Sequence, residues 1–401
     1  MATDLKIPAV FVRGGTSRAV LFHARDLARF DAHQRDAVIL TALGSPDPNG
    51  RQVDGLGGGI SSLSKAAIIA PSGLANTDIE FDFAQVDVER PLVDWSGTCG
   101  NISSAVGPFA IDEGLVDPVE PVTKVRVLAV NTGKRFVAHV PVVGGRAVSE
   151  GDFVIDGVPG SGARIELEYV DPASSLGRGV LPTGVAQERL ALASGRHTTV
   201  SIVDVAIPTV FVRASDVGGD ATGTAAALDA DTELQRLLEE IRCSAAVQLG
   251  LCISLDDAHE RQRAMPKIAM VAPPAHYETG DGRHIEPTDT NLLARAISME
   301  RTHRTYPGSV SMATAVAAQV PGTVVFEAAQ SRSAGASSAA SGQVRIGHPA
   351  GVIPVDADVE RDGADWRVPS VTTYRTARRI MEGHVLVPES RLHGTGLDRN
   401  N

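Results

Sequence analysis

The chain has 401 residues, which predicts two or three domains, and its 43% hydrophobic and 21% charged residues are typical of soluble globular proteins. This composition excludes wholesale disorder, a collagen and a coiled coil. The formal net charge of −11 disfavours a nucleic acid or an anionic membrane as a partner, because both require a basic surface.

Three features of the sequence predict a cytoplasmic, reduced protein. The three cysteines include no CxxC pair and are too few for a disulfide framework or a structural zinc site. The start MATDLKIPAVFVRGG lacks the basic and apolar regions of a signal peptide. No apolar run approaches the roughly 18 residues that a membrane span needs.

Short β-branched segments occur along the whole chain and predict a protein rich in strands. Each is apolar either in alternation or continuously over about four to eight residues. The predicted strands are Ile7–Val12, Ala66–Ala70, Ile79–Val86, Val122–Val130, Arg135–Val142, Ile165–Tyr169, Thr198–Val205, Lys267–Val271, Thr323–Phe326, Val344–Ile346 and Val368–Tyr374.

Helical patterns are fewer than strand patterns. Apolar residues at helical spacing predict helices over Asp31–Leu43, Asn101–Ile111, Thr232–Leu249 and Ser309–Val320. The first ends at Gly44, a typical C-cap residue. The segment Ala328–Gly342 is rich in Ser, Ala and Gly, and we predict a mobile surface loop there.

Two of the predicted helices suggest an internal duplication. Asn101–Ile111 and Ser309–Val320 are Ala-rich and nearly uncharged, as helices buried on all sides are. Each follows a glycine-containing turn, and about half the chain length separates them. We therefore predict two α+β domains, each with strands around a central helix, and a boundary between Asp171 and Arg196. Two unrelated core helices would give the same pattern, and this alternative stays open.

Three glycine-rich segments could bind a ligand: Arg13–Arg18, Asp54–Lys65 and Asp94–Asn101. None is a nucleotide-binding loop, because GxxxxGK[ST] is absent and no GxGxxG lies between a strand and a helix. Backbone N–H groups at glycine turns and helix N-termini can instead bind carboxylates. We expect a substrate with two or more carboxylates, held between the domains, although any one of these segments could be an ordinary turn.

Two side chains in these segments are candidates for acid–base chemistry. Cys99 begins a buried helix, where the N-terminus lowers a thiol pKa. Lys65 precedes an apolar strand, where loss of hydration would lower its pKa and allow it to act as a base. A small buried cysteine and a lysine that reaches the surface are the structural alternatives. We interpret Cys243 and Cys252 as core residues.

The residues before the second buried helix offer fewer chemical possibilities. Arg304 could reach a substrate carboxylate. His303 and Tyr306 lie beside Arg304 in the sequence, and His348 lies in a Gly-His-Pro turn. Because no HxH, HExxH or carboxylate cluster surrounds these histidines, we predict no metal site. The sequence also lacks the GxSxG motif of serine hydrolases.

Several of these segments resemble a known family. RGGTSR, DGLGGGISSLSK, VDWSGTCGNISSAVGPFAI, PKIAMVAPP and RIGHPAG, in this order and spacing, resemble the PrpF-type isomerases. That group includes 2-methylaconitate cis–trans isomerase, methylitaconate Δ-isomerase and 4-oxalomesaconate tautomerase. The resemblance implies two pseudo-symmetric diaminopimelate epimerase-like domains, each a curled, mostly antiparallel sheet around a central helix, with the active site in the interdomain cleft. It also implies that Lys65 and Cys99 are the acid–base lysine and cysteine.

The sequence departs from the family pattern at three places. Arg18 follows the first glycine loop, where the family often has lysine. The second central helix has Ser309 and Ser311 but lacks the cysteine that relatives can carry. No asparagine precedes Pro208. These departures leave the substrate open, and the missing second cysteine counts against an epimerase with paired thiols.

We predict a cofactor-independent isomerase of an unsaturated di- or tricarboxylate that acts by a 1,3-allylic proton shift or a cis–trans isomerisation. The predicted N-terminal domain comprises residues 1–190, joined by 380–401, and the C-terminal domain comprises residues 191–379. The predicted catalytic residues are Lys65 and Cys99, and the predicted substrate ligands are Gly15, Thr16, Ser17, Ser64, Gly100, Asn101, Arg304 and Ser309.

Two other functions remain open on the sequence alone. An amino-acid epimerase or racemase could have the same fold, and the protein could be a non-enzymatic accessory of an aconitase-like enzyme. We expect a small-molecule carboxylate as the partner, no nucleic acid, membrane, metal or cofactor, and a homodimer as the assembly.

Overall fold

The computed structural model describes residues 4–263, 265–298, 301–330, 342–363 and 365–393. They divide into two compact units. The N-terminal unit comprises residues 4–169 and 374–393, and the C-terminal unit comprises residues 170–373. The unit boundaries thus lie at 169/170 and 373/374, whereas the sequence led us to expect 190/191 and 379/380.

The strands are numbered in chain order. Those of the first part of the chain are β1 Asp4–Gly14, β2 Ser17–His23, β3 Lys65–Pro71, β4 Ile79–Val86, β5 Val93–Asp94, β6 Val122–Ala129, β7 Lys134–Val143, β8 Arg146–Ala147, β9 Phe153–Val154, β10 Ser161–Gly162 and β11 Ile165–Val170. The others are β12 Glu188–Ala191, β13 His197–Val205, β14 Ile207–Arg213, β15 Lys267–Ala272, β16 Tyr277–Glu278, β17 His284–Ile285, β18 Leu292–Ser298, β19 Arg301–Thr302, β20 Gln343–His348, β21 Gly351–Asp362, β22 Asp365–Arg375 and β23 Ala377–Pro388.

The helices are fewer and mostly short. They are α1 Ala24–Leu27, α2 Ala32–Leu43, α3 Gly100–Asp112, α4 Ala214–Val217, α5 Ala225–Ala230, α6 Thr232–Gln248, α7 Leu255–Glu260, α8 Gly308–Ala317 and α9 Val324–Gln330, with 3₁₀ turns at Ser61–Leu63, Pro287–Asp289 and Glu389–His393. In the part of the chain that the structure describes, none of these helices has the length and apolar character needed to cross a bilayer.

The sheet of the N-terminal unit has a helix on each face. Strand β1 is antiparallel to β2 and β23, β2 is parallel to β3, β3 is antiparallel to β4, β4 is parallel to β6, and β6 is antiparallel to β7. Because strand side chains alternate between faces, Leu21 packs in the core around α3 and Phe22 in the core around α2. Helix α3 is buried along most of its length, as its Ala-rich sequence predicts.

The C-terminal unit repeats this order of pairings. Strand β13 is antiparallel to β14, β14 is parallel to β15, β15 is antiparallel to β18, β18 is parallel to β20, and β20 is antiparallel to β21. The buried helix α8 stands at the chain position equivalent to that of α3, between the fourth and fifth strands of this series, and the amphipathic α6 corresponds to α2. The repetition supports the predicted α+β duplication.

Several local predictions are confirmed, one predicted strand is wrong, and one predicted loop is wrong at its start. Helix α2 begins after the N-cap Asp31 and ends at Gly44, whose φ of 73° is left-handed. The segment Thr323–Phe326, predicted as a strand, instead begins helix α9, because the Thr323 hydroxyl accepts a hydrogen bond from the Phe326 N–H and caps the helix. Ala328 also belongs to this helix rather than to the predicted surface loop, of which residues 331–341 lie outside the described residues.

Candidate active site

Lys65 lies at the buried start of strand β3. Its side chain is 7% exposed, and its Nζ lies 5.4 Å from the centroid of the Phe83 ring. The Nζ donates a hydrogen bond to Oε1 of Gln85, the residue directly opposite on β4. Burial lowers the pKa of the Lys65 ammonium, and the charge of an ionised Cys99 would oppose that shift. Lys65 and Cys99 are therefore close enough for their charges to interact.

The loop before Lys65 fixes the orientation of Gln85. The Gln85 Nε2 donates to the backbone carbonyls of Ser61 and Ser64, both at 3.0 Å. With both amide hydrogens engaged, the Oε1 of Gln85 must face the lysine. The Ser64 hydroxyl is itself enclosed, with 0% exposure, and accepts a bond of 2.7 Å from Gln52 Nε2. Ser64 thus supports the loop in this structure, and its hydroxyl does not lie at an exposed surface.

Cys99 is the N-cap residue of helix α3 and a free thiol. Its carbonyl accepts hydrogen bonds from both the N–H and the hydroxyl of Ser103, so the backbone at this position belongs to the first helical turn. The side chain is half-buried against the core that surrounds α3. A partly accessible thiol at a helix N-terminus has the position that a reactive cysteine requires.

The first glycine segment forms a tight turn between β1 and β2, with Gly14 paired to Ser17. This turn packs on the N-terminus of α3, where Asn101 Nδ2 donates to the hydroxyls of Thr16 at 3.0 Å and Ser17 at 3.4 Å. A Cβ on Gly14 would lie 2.5 Å from the Asn101 carbonyl oxygen, so the close approach depends on glycine. Three predicted site residues, Thr16, Ser17 and Asn101, are therefore brought together here.

Arg375, which is not among the residues predicted from the sequence, completes this side of the site. Its Nε donates to Asn101 Oδ1 at 3.2 Å and its Nη1 to the Tyr374 carbonyl at 2.8 Å. The residue is 5% exposed. Burial lowers the pKa of its guanidinium, which the negative charges of ionised Tyr169 or Cys99 would raise. The Tyr169 hydroxyl lies 3.2 Å from where a Cβ on Gly100 would stand.

The sequence-predicted ligands of the C-terminal unit lie at the start of its own buried helix. Ser309 is the second residue of α8 and is half-buried, and Arg304 lies exposed in the segment before it. Tyr306 is buried, and its hydroxyl shares a hydrogen bond with the Thr314 hydroxyl. Burial strongly raises the pKa of Tyr306. Its ring stacks 6.5 Å from His348, centroid to centroid.

A second cluster of ionisable groups joins helices α6 and α7. Glu239, Cys243 and His259 lie close enough together to share a metal ion. However, Arg242 makes two hydrogen bonds to the Glu239 carboxylate, and burial raises the pKa of Cys243 to about 12. The first fact engages the carboxylate that a metal would need, and the second disfavours the thiolate. Nearby, burial and then the charge of Arg242 lower the pKa of Lys267 to about 8.

Two residues of the site lacked a recognisable sequence signal. Gln85 lies in an ordinary alternating strand, and Arg375 lies in a strand far from the glycine segments in the sequence. Strand register brings Gln85 to Lys65. The return of the chain to the N-terminal unit brings Arg375 to Asn101. The sequence of β4 carries no signal that Gln85 pairs with Lys65, because the register is set by the pairing of the two strands.

Comparison with known proteins agrees with this architecture. The sequence is 42% identical over 393 residues to the 3-methylitaconate isomerase of Eubacterium barkeri, covering 98% of this chain and all of the relative. It is 38% identical over 395 residues to the 2-methyl-aconitate isomerase of Cupriavidus necator, covering 96% and 98%. A crystal structure of methylitaconate-delta-isomerase superposes with a TM-score of 0.84 at 40% identity, covering 99% of this chain and all of that one.

A more distant structure shows only the fold. A hydroxyproline epimerase from Agrobacterium vitis matches with a TM-score of 0.50 at 12% identity, covering 96% of this chain and 93% of that one. Together the fold and the relatives define the class of this protein as an isomerase of epimerase-like architecture. Within that class, the chain belongs to the PrpF protein family, whose sequence model matches residues 4–388.

Proposed function

We propose that the protein isomerises an unsaturated di- or tricarboxylate by proton transfer to and from Lys65, without a cofactor. The observation that supports this most directly is the setting of Lys65: a buried amine of lowered pKa, bonded to Gln85 and near Cys99. A general base works best when its pKa is near the working pH, and desolvation moves a lysine in that direction. The substrates named for the two curated relatives support the carboxylate class.

In the proposed reaction, the lone pair of neutral Lys65 removes a proton from the carbon next to the substrate double bond. The C–H electron pair delocalises over the double bond and the neighbouring carboxylate as a dienolate. The N–H groups at the start of α3 would stabilise the developing charge. Return of the proton to the far carbon gives a 1,3-allylic shift, and return to the same carbon after bond rotation gives cis–trans isomerisation.

We assign the remaining predicted residues supporting parts in this reaction. Cys99 acts as a second acid–base group or orients the substrate. Gly15, Thr16, Ser17, Gly100 and Asn101 surround the start of α3 and bind a carboxylate there. Ser64 holds the loop in which Lys65 is placed, consistent with its bond to Gln52. Arg304 and Ser309 stay predictions as carboxylate ligands in the C-terminal unit.

Replacing Lys65 tests the proposal. Lys65→Met and Lys65→Ala are expected to lower turnover by about 10²- to 10⁴-fold, the usual contribution of a general base. Turnover is followed by NMR in D₂O with aconitates, methylitaconate, oxalomesaconate and amino acids as substrates. The matched control is Lys267→Met, because Lys267 is a second lysine of lowered pKa.

Three outcomes would contradict the proposal. Near-normal turnover in both Lys65 variants would exclude it as the base. Deuterium exchange at the α-carbon of an amino acid, without exchange into the carboxylates, would identify an epimerase or racemase. No exchange into any of these compounds by the purified protein would favour an accessory role.

A further inference from the structure

Arg375 is one of three buried arginines among the described residues, and its surroundings differ from those of the other two. Arg242 is 4% exposed and makes two hydrogen bonds to the Glu239 carboxylate. Arg295 is 0% exposed: its Nε and Nη1 donate to backbone carbonyls beside the Tyr277 ring, and its Nη2 has no partner in the described chain but also no exposed surface for a ligand to reach. Arg375 is 5% exposed, and its charge faces no carboxylate of the described chain.

The hydrogen bonds of Arg375 leave part of its guanidinium unused. Its Nε and one Nη1 hydrogen are taken by the neutral oxygens of Asn101 and Tyr374. The Nη2 group donates to none of the residues that the structure describes. A buried cation without a counter-ion is costly unless a ligand supplies the negative charge. Because Arg375, unlike Arg295, keeps some exposure, an anion can reach these unused donors.

The neighbours of Arg375 determine where such an anion would lie. Asn101, which holds its Nε, is in the first turn of α3, and the Arg375 Cδ lies 3.2 Å from where a Cβ on Gly15 would stand. Tyr169 and Cys99 lie close enough that their ionised forms would interact with the guanidinium. Arg375 thus adjoins the same helix start as Cys99, and the helix dipole favours an anion at that point as well.

We propose that Arg375 binds one carboxylate of the substrate through two parallel hydrogen bonds, beside Cys99 at the N-terminus of α3. The inference rests on the proposed function only in taking a carboxylate as the ligand. Asn101 then has two tasks: its Oδ1 holds Arg375, and its amide holds the Thr16 turn. A planar guanidinium matches a carboxylate in geometry, which a lysine at this position would not do.

The test measures binding separately from turnover, with propane-1,2,3-tricarboxylate as the probe, because this tricarboxylate has no double bond to isomerise. Calorimetric titration of Arg375→Gln is expected to show affinity lowered roughly 10- to 100-fold, the loss typical of a charge-assisted hydrogen-bonded pair. Arg375→Lys should lose several-fold. The matched control is Arg378→Gln, which removes an exposed arginine three residues along the chain and should bind within about twofold of the wild type.

The proposal is overturned if Arg375→Gln binds the probe with unchanged affinity, or if Arg375→Gln and Arg378→Gln lose equal affinity. It is also overturned if the wild-type protein binds neither this probe nor methylitaconate. If Arg375→Gln does not fold, Arg375→Lys decides: weaker binding at an unchanged unfolding temperature supports the assignment, and unchanged binding refutes it. Binding of the probe through Arg375 by a protein that isomerises nothing would refute the proposed function alone. Turnover with an unchanged KM in Arg375→Gln would refute this inference alone.

Discussion

At the scale of single residues, the hydrogen-bond partner of Lys65 determines both its position and its charge. In the described chain, Lys65 has no carboxylate partner that would hold it charged. It donates instead to the amide oxygen of Gln85, whose direction is fixed by two backbone carbonyls. An amide accepts the hydrogen bond of the lysine without the negative charge that would raise its pKa strongly. Gln85 therefore keeps Lys65 in place and leaves the lowering of its pKa by burial intact.

The substitution Gln85→Glu is expected to move the pH dependence of turnover. The carboxylate would favour the charged form of Lys65 and raise its pKa, typically by about one unit or more. Because Lys65 must be neutral to act as the proposed base, kcat/KM would then rise with pH only at a higher pH than in the wild type, and activity near neutral pH would fall. Gln85→Met, which removes the acceptor without adding charge, should not move the acidic limb upward. The pH–rate profiles of the three proteins decide, and an unshifted profile in Gln85→Glu would exclude this positioning role.

At the scale of elements, the turn between β1 and β2 is attached to α3 by close backbone approach. Gly14 adopts an ordinary φ, yet a Cβ there would meet the Asn101 carbonyl at 2.5 Å and the Ile102 Cα at 3.1 Å. Neither backbone atom can move without displacing the helix start. The turn and the helix therefore form one unit in which Asn101, Thr16 and Ser17 are positioned together.

Gly14→Ala is expected to destabilise the protein by about 1–3 kcal/mol, the usual cost of overpacking, and to lower substrate affinity because the α3 start moves. Chemical denaturation measures the loss. The matched control is Gly73→Ala, since nothing lies within 4 Å of the position of its Cβ and its φ is also ordinary. The control should change stability by less than about 0.5 kcal/mol. Equal stability of the two variants would show that the turn can separate from the helix at little cost.

At the scale of the whole molecule, the two ends of the chain belong to the same unit. The last strand β23 pairs with the first strand β1 from Asp4 opposite Pro388 to Gly14 opposite Ala377. Its buried residues Val385 and Val387 join the core around α2, whereas residues 380–384 and Leu386 are exposed. The N-terminal unit is thus complete only after the C-terminal unit has been synthesised.

A pair of adjacent substitutions tests this closure. Val387 is 0% exposed and faces Leu5 across the strand pair, so Val387→Asp should cost about 3 kcal/mol or more by burying a charge. Leu386→Asp on the other face, where Leu386 is 55% exposed, should cost within about 0.5 kcal/mol. Thermal unfolding followed by circular dichroism gives both values. Similar losses in the two variants would mean that β23 does not seal the core.

The sequence by itself determined the features that depend on local physics. Alternating apolar residues located β4 at Ile79–Val86, and Ala-rich segments located the buried helices α3 and α8. The glycine loops also led to Lys65 and Cys99 as catalytic residues, which stays a prediction. These signals work because burial and backbone conformation are decided over a few neighbouring residues. Local propensity also misled, as at Thr323–Phe326, where the threonine hydroxyl caps a helix within a β-branched run.

Only the tertiary structure decided the contacts between residues that are far apart in the chain. Gln85 meets Lys65 through strand register, and Arg375 meets Asn101 because the chain returns to its first unit after residue 373. Neither pairing follows from composition or spacing, since both depend on how strands order in the sheet. The net charge of −11 is a similar case: it predicts weak long-range attraction for an anion, yet a buried arginine and a helix start can still provide a local site for a carboxylate.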